Sequence, residues 1–88
     1  MSDKEKNMKK VSMYTLSTCP WCRKTKKFFT EKGIEFDYID YDLADDETRE
    51  KIDRDMDAHH AHAFPFVRIG DVYVEGYRPE RYSELLGI

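Results

Sequence analysis

Two cysteines are present in this 88-residue chain, and both lie in one motif, Cys19-Pro20-Trp21-Cys22. Residues three apart on a helix share a face, so two sulfurs placed at a helix start can close a small disulfide ring. Pro20 suits a first helical position, where its missing N–H leaves no bond unmade. A sulfur just ahead of it faces the unpaired N–H groups of the first turn and the positive end of the helix dipole, both of which favour thiolate over thiol. The expected roles follow. Cys19 is the exposed nucleophile of lowered pKa, and Cys22, one turn further in, is the resolving thiol; Arg23 and Lys24 add to the thiolate bias. Two other readings use the same residues. The cysteines can serve as apolar filler, against which stands the Pro20-Trp21 pair between them. They can also join His59, His60 and His62 in a tetrahedral zinc site. The long separation of the two groups stands against zinc, as does the loss of both thiolates to the metal. A simpler role for the three His is to end a helix near its negative pole.

The chain must supply a strand before this motif and a helix after it. Val11 to Leu16 is β-branched, aromatic and apolar, then meets Ser17 and Thr18, as a buried strand would. From Pro20 the composition is helical up to Gly33, which fits a left-handed helix end. Cys22, Thr25, Phe28 and Phe29 form its inward stripe, and Arg23, Lys24, Lys26 and Lys27 lie largely outside it. Ile34 to Asp40 alternates apolar and polar up to Tyr38 and suits a second strand parallel to the first after a helical crossover. Asp45 or Asp46 can cap a second helix running to about Ala58, with Ile52 and Met56 as a thin apolar contact. Phe66–Ile69 and Val72–Glu75 read as strands joined by a Gly70-Asp71 turn. Pro79 opens a last helix, Glu80 to Leu86, closed by Gly87. The order β-α-β-α-β-β-α gives an α/β domain, a four-stranded mixed sheet flanked by three helices, with the cysteines at the C-terminal end of the first strand.

Composition narrows the function classes. Eighty-eight residues allow one small domain and exclude a two-domain Rossmann enzyme or a TIM barrel. A mean hydropathy of -0.81 with 38% charged residues leaves no transmembrane helix. The first ten residues, MSDKEKNMKK, carry charge where an export signal needs an apolar run, so they read as a frayed leader before a domain over 11–88, and the expected compartment is the cytoplasm. A net charge of -3 does not argue for nucleic acid. The total conceals an uneven distribution: residues 1–32 hold nine Lys or Arg against three Asp or Glu, and residues 33–63 hold three against eleven. These runs read as solvated helix faces of opposite sign, or as a steering surface for an acidic partner. No feature demands an oligomer, so a monomer is expected.

Thr18-Cys19-Pro20-Trp21-Cys22 followed by a basic helix, Phe64-Pro65 before the hairpin, and Gly76-Tyr77-Arg78-Pro79 before the last helix together resemble the glutaredoxin family, within the thioredoxin-like fold. The resemblance spans residues 11 to 87. It implies a dithiol thiol-disulfide oxidoreductase acting on protein or small-molecule disulfides, with Cys19 and Cys22 at its centre beside Pro20 and Trp21. It implies further that Pro65 is a cis-proline opposite the active-site disulfide, and that Phe64 offers its backbone to an extended substrate as one more strand. Substrate contacts from Gly76, Tyr77 and Arg78 belong to the same implication, as does glutathione as a reductant, with no bound cofactor.

This chain departs from the family where glutathione is held. Many glutaredoxins carry Lys three positions before the first Cys, a Thr-Val-Pro, and Gly-Gly followed by acidic residues. Here those places read Leu16, Ala63-Phe64-Pro65 and Glu75-Gly76-Tyr77-Arg78. Gly76-Tyr77-Arg78-Pro79-Glu80 is instead similar to the Gly-Phe-Arg-Pro-Asp of NrdH-type redoxins, which take electrons from thioredoxin reductase and pass them to ribonucleotide reductase. The expected partners are therefore disulfide substrates and one of two reductant systems, glutathione or thioredoxin reductase. A metal or iron–sulfur module is the competing class, because some relatives share a cluster across a dimer.

Overall fold

Val11, Met13 and Thr15 are buried while Ser12 and Tyr14 between them are half-buried, so β1 (Val11–Thr15) presents two usable faces rather than the uniformly buried run expected through Leu16. The protein is described by a computed structural model over residues 9–88. β1 pairs in parallel with β2 (Asp37–Asp40) and antiparallel with β3 (Phe66–Ile69), and β3 forms a hairpin with β4 (Val72–Glu75). The sheet order is β2-β1-β3-β4, so β1 is central and its C-terminal end lies next to the cysteine motif. Gly70 supplies the turn at φ +61, a conformation that disfavours any residue with a Cβ.

Three helices cover the sheet: α1 (Pro20–Glu31), α2 (Asp46–Ala58) and α3 (Pro79–Leu86). Alternation along the strands sorts them. Val11, Met13, Val67, Ile69 and Val74 form one cluster with Phe29 of α1 and Tyr82 and Leu86 of α3. Phe66 forms a second with Ile52 and Met56 of α2 and with Ala61, joined by half-buried Tyr14 and Tyr73. α1 and α3 thus lie on one face and α2 on the other. The four-stranded mixed sheet, the three helices and their order agree with the sequence reading.

Element ends are set by local chemistry. α1 stops at Gly33, φ +70, where the N–H of Gly33 donates to the Thr30 carbonyl at 3.1 Å and that of Ile34 to the Phe29 carbonyl at 2.9 Å. This explains why β2 starts at Asp37 and not at the expected Ile34: the Ile34 N–H closes the helix instead of joining the ladder. Ile34 and Phe36 pack against the main cluster from the connection. α2 begins where expected, with the Asp45 carboxylate accepting from the Thr48 N–H at 2.9 Å. It ends by the same device as α1, but with His60 at φ 57 in the left-handed position. A short 3-10 turn, Tyr41–Leu43, follows β2 and was not anticipated. The leader expected over residues 1–10 falls, for 1–8, outside the described residues; Lys9 and Lys10 are exposed, and the Lys10 carbonyl accepts from the Gly70 N–H at 2.9 Å. Among the described residues no helix is long and apolar enough to cross a membrane.

Candidate active site

Cys19 is the N-cap of α1, with extended backbone at φ -84 and ψ 119. Its sulfur occupies the place usually taken by a Ser or Asp oxygen and accepts the Cys22 N–H at 3.3 Å. That N–H is one of the helix's otherwise unpaired donors, so the cap and the reactive atom are the same atom. The Cys19 N–H donates to the Leu16 carbonyl at 3.2 Å, which closes the tight loop from β1 into the helix. Both cysteines are free thiols. Cys22 is fully buried, while Cys19 is partly accessible. Burial pushes the Cys22 thiol up to about 12, and the neighbouring Cys19 sulfur adds to the rise; the Leu16 N–H, 3.5 Å from the Cys22 sulfur, and the Lys26 ammonium act in the opposite direction. One sulfur is therefore accessible and the other held protonated beneath it.

The loop before Cys19 is tied down by a residue that sequence reasoning missed. The Asp42 carboxylate, in the 3-10 turn after β2, accepts the Ser17 N–H at 2.9 Å and the Ser17 hydroxyl at 2.5 Å. Those two bonds hold Asp42 below the usual carboxylate range. Arg49 of α2 fixes the turn in its place, donating from Nε to the Tyr41 carbonyl and from Nη2 to the Asp42 carbonyl, each at 3.1 Å. In the sequence Asp42 is one of eleven acidic residues between 33 and 63 and carries no periodic signal that separates it from the others.

Of the remaining expected residues, Tyr77 meets the motif directly, and Gly76 ties its loop to Pro65. Trp21, 54% exposed, stacks on Tyr77 with ring centroids 5.9 Å apart, and the Lys24 ammonium lies 4.9 Å from the Trp21 ring centre. Gly76, at φ +90, donates its N–H to the Pro65 carbonyl at 2.7 Å, and its own carbonyl accepts the hydroxyl of buried Tyr82. The Gly76–Arg78 loop is thereby fastened to α3 and to the Pro65 loop, with Tyr77 against Trp21. The Phe64–Pro65 peptide bond is cis and Pro65 is buried. The Phe64 side chain packs into the α2 cluster, 5.7 Å from Tyr41 between ring centres. Arg78 is exposed, its Nε donating to the Glu75 carbonyl at 3.2 Å. A groove of about 1060 Å³ along β4 and α3 takes in Tyr77 and Arg78 but neither cysteine. Thiol exchange with another protein needs an accessible sulfur and not a cavity.

The three His are not gathered with the cysteines. Among the described residues no group of three or more His, Cys, Asp or Glu side chains could hold a metal ion. Each His has a structural partner or position instead. His59 caps α2, with its ring 3.8 Å from the Tyr73 ring; His60 takes the left-handed position; and the His62 N–H donates to the Glu75 carboxylate at 2.8 Å.

A dithiol at a strand-to-helix junction, on a β2-β1-β3-β4 sheet with a cis-proline loop bonded to the neighbouring turn, defines a redox domain of thioredoxin-like fold. Residues 11–74 match the family model described as Glutaredoxin, and the chain belongs to the glutaredoxin family. Its solved relatives include the glutaredoxin of Archaeoglobus fulgidus, 35% identical, with a TM-score of 0.78 over 92% of this chain and 89% of that one. The NrdH-redoxin of Escherichia coli is 25% identical, with a TM-score of 0.74 over 86% and 93%. Among curated relatives, the glutaredoxin-like protein NrdH of Salmonella typhimurium is 30% identical over 78 residues, 85% of this chain and 86% of that protein.

Proposed function

We propose that this protein is a dithiol thiol-disulfide oxidoreductase that reduces protein or small-molecule disulfides in the cytoplasm. The observation that carries the reading is the pairing of an accessible Cys19 sulfur at the helix cap with a fully buried Cys22 one turn behind it. The Cys19 thiolate attacks one sulfur of the substrate disulfide, forming a mixed disulfide and releasing the other sulfur as a thiolate. Cys22 then loses its proton and attacks Cys19, closing the intramolecular disulfide and expelling the reduced substrate. Trp21 and Tyr77 offer a stacked aromatic surface beside the nucleophile, Phe64 offers backbone to an extended substrate, and Arg78 offers a guanidinium to a carboxylate on the substrate or partner.

The source of electrons divides two readings. Gly76-Tyr77-Arg78-Pro79 and the similarity to NrdH proteins favour an NrdH-like donor, recharged by thioredoxin reductase and passing electrons to ribonucleotide reductase. Leu16, standing where many relatives carry a glutathione-binding Lys, favours the same side. An NADPH-consumption assay with a protein disulfide as acceptor separates them, with electrons supplied in one cuvette through glutathione and glutathione reductase and in another through thioredoxin reductase. Turnover with thioredoxin reductase alone is expected of the NrdH-like reading, and turnover with glutathione alone of a glutaredoxin with altered ligands. Silence in both would contradict the reductase reading.

A further inference from the structure

One ion pair of the described residues is largely withdrawn from water. The Lys26 ammonium lies 3.3 Å from an Asp40 carboxylate oxygen, with side chains 23% and 14% exposed. The other described ion pairs each have at least one partner that is mostly in solvent. Withdrawing two charges from water is costly, and a pair in this position is weak evidence for a stabilising role. Its surroundings give it a place. The same Asp40 oxygen accepts the hydroxyl of fully buried Thr15 at 2.5 Å, and the Lys26 ammonium sits 3.7 Å from the centre of the Tyr38 ring. Thr15 is the last residue of β1, and the next residue, Leu16, donates its N–H to the Cys22 sulfur. Lys26 is one helical turn beyond Cys22 on α1, on the same side. Asp40 therefore anchors a cation on the helix turn that follows the buried thiol.

We propose that Lys26 and Asp40 are a positioning pair for the resolving step: Asp40, held by Thr15, fixes the Lys26 ammonium one helical turn beyond Cys22, and the cation so placed assists the attack of the Cys22 sulfur on Cys19. The inference rests on the dithiol reading above. In that step the Cys22 S–H bond breaks and its proton leaves to water. A bond forms between the Cys22 and Cys19 sulfurs as the Cys19–substrate S–S bond breaks, the departing substrate thiolate carrying the electron pair. The groups acting on Cys22 are Cys19 and the Leu16 N–H from the loop, Lys26 from α1, and Tyr82 from α3; those around Lys26 are Asp40 and Tyr38 of β2.

The test follows the two releases of thionitrobenzoate when the reduced protein reacts with the aromatic disulfide DTNB in a stopped-flow instrument. The first release reports attack by Cys19 and the second, by intramolecular exchange, attack by Cys22. Lys26→Met is expected to slow the second phase about ten-fold, with its rate-against-pH curve displaced upward by about one unit, and to leave the first phase within two-fold. Lys26→Arg restores the rate, and Asp40→Asn, which frees the ammonium, slows the same phase by less than Lys26→Met. A second phase unchanged in Lys26→Met, or accelerated in Asp40→Asn, would overturn the positioning role while leaving the dithiol mechanism standing. A second phase whose rate rises with DTNB concentration in the unaltered protein would mean that Cys22 reacts independently, and both readings would fall. Unfolding midpoints of the three variants identify any slowing that comes from lost structure, because such slowing affects both phases.

Discussion

The two faces of the sheet are held by different physics. On the α1–α3 side the contacts are apolar and aromatic: Phe29 and Tyr82 are fully buried with ring centres 5.1 Å apart, and Phe28 packs against both. On the α2 side only Ile52 and Met56 of the helix are buried, and polar contacts do much of the holding. The Tyr14 hydroxyl donates to Asp55, Tyr41 to Asp53 at 3.0 Å, and Arg49 to the 3-10 turn. Burial and the Asp55 carboxylate raise the Tyr14 phenol well above its ordinary value. The redox helix belongs to the apolar face, which gives its cysteines a rigid base. The polar face reaches the site through the chain from Arg49 to Asp42 to Ser17 and through Phe64, which packs against Tyr41. Rigidity at the sulfurs and tolerance at α2 are therefore compatible in one small domain.

Phe29→Ala should break this asymmetry most directly, costing about 4 kcal/mol through lost burial and a cavity in the main cluster, against about 3 kcal/mol for Ile52→Ala. Denaturant unfolding gives both values, and hydrogen exchange should find the amides of α2 opening before those of α1. Equal costs with uniform exchange would remove the distinction. The next effect appears only at alkaline pH and comes from Cys22. Its thiol is held near 12 in the folded protein against an ordinary 9.0, so the unfolded chain gives up this proton first. The associated stability is fully present below about pH 9 and is lost as pH rises toward 12. Cys22→Ser should flatten this part of the alkaline stability curve of the reduced protein, and an unchanged slope would count against a buried neutral thiol. The smallest change sharpens the α2 side: His60→Gly should stabilise by about 0.5–1 kcal/mol, because glycine adopts the left-handed conformation at φ 57 without a Cβ penalty. A loss of stability would mean that the His60 side chain makes a contact worth more than that strain.

Much of this arrangement was legible in the residues. The hairpin, the capping Asp45, the Pro20 start and Gly33 stop of α1, and the inward Cys22, Thr25 and Phe29 all rest on signals within a few residues of one another. What escaped depends on distant partners. Asp42 cannot be told from its acidic neighbours until the fold carries it to Ser17, and Lys26 reads as a solvated charge until β2 brings Asp40 to it. The Trp21–Tyr77 stack joins residues from opposite ends of the domain. The early end of the helix-to-strand run at Ile34–Phe36 was hidden because alternation does not reveal that the Ile34 N–H is already used.

The central claim, that an accessible Cys19 attacks and a buried Cys22 resolves, is tested most directly by incubating Cys22→Ser with a protein disulfide and identifying the adduct by mass spectrometry. A stable mixed disulfide on Cys19, with substrate reduction stalled at that stage, is the predicted result. Reduction of the protein disulfide by this variant at the unaltered rate, with no adduct on Cys19, would contradict it.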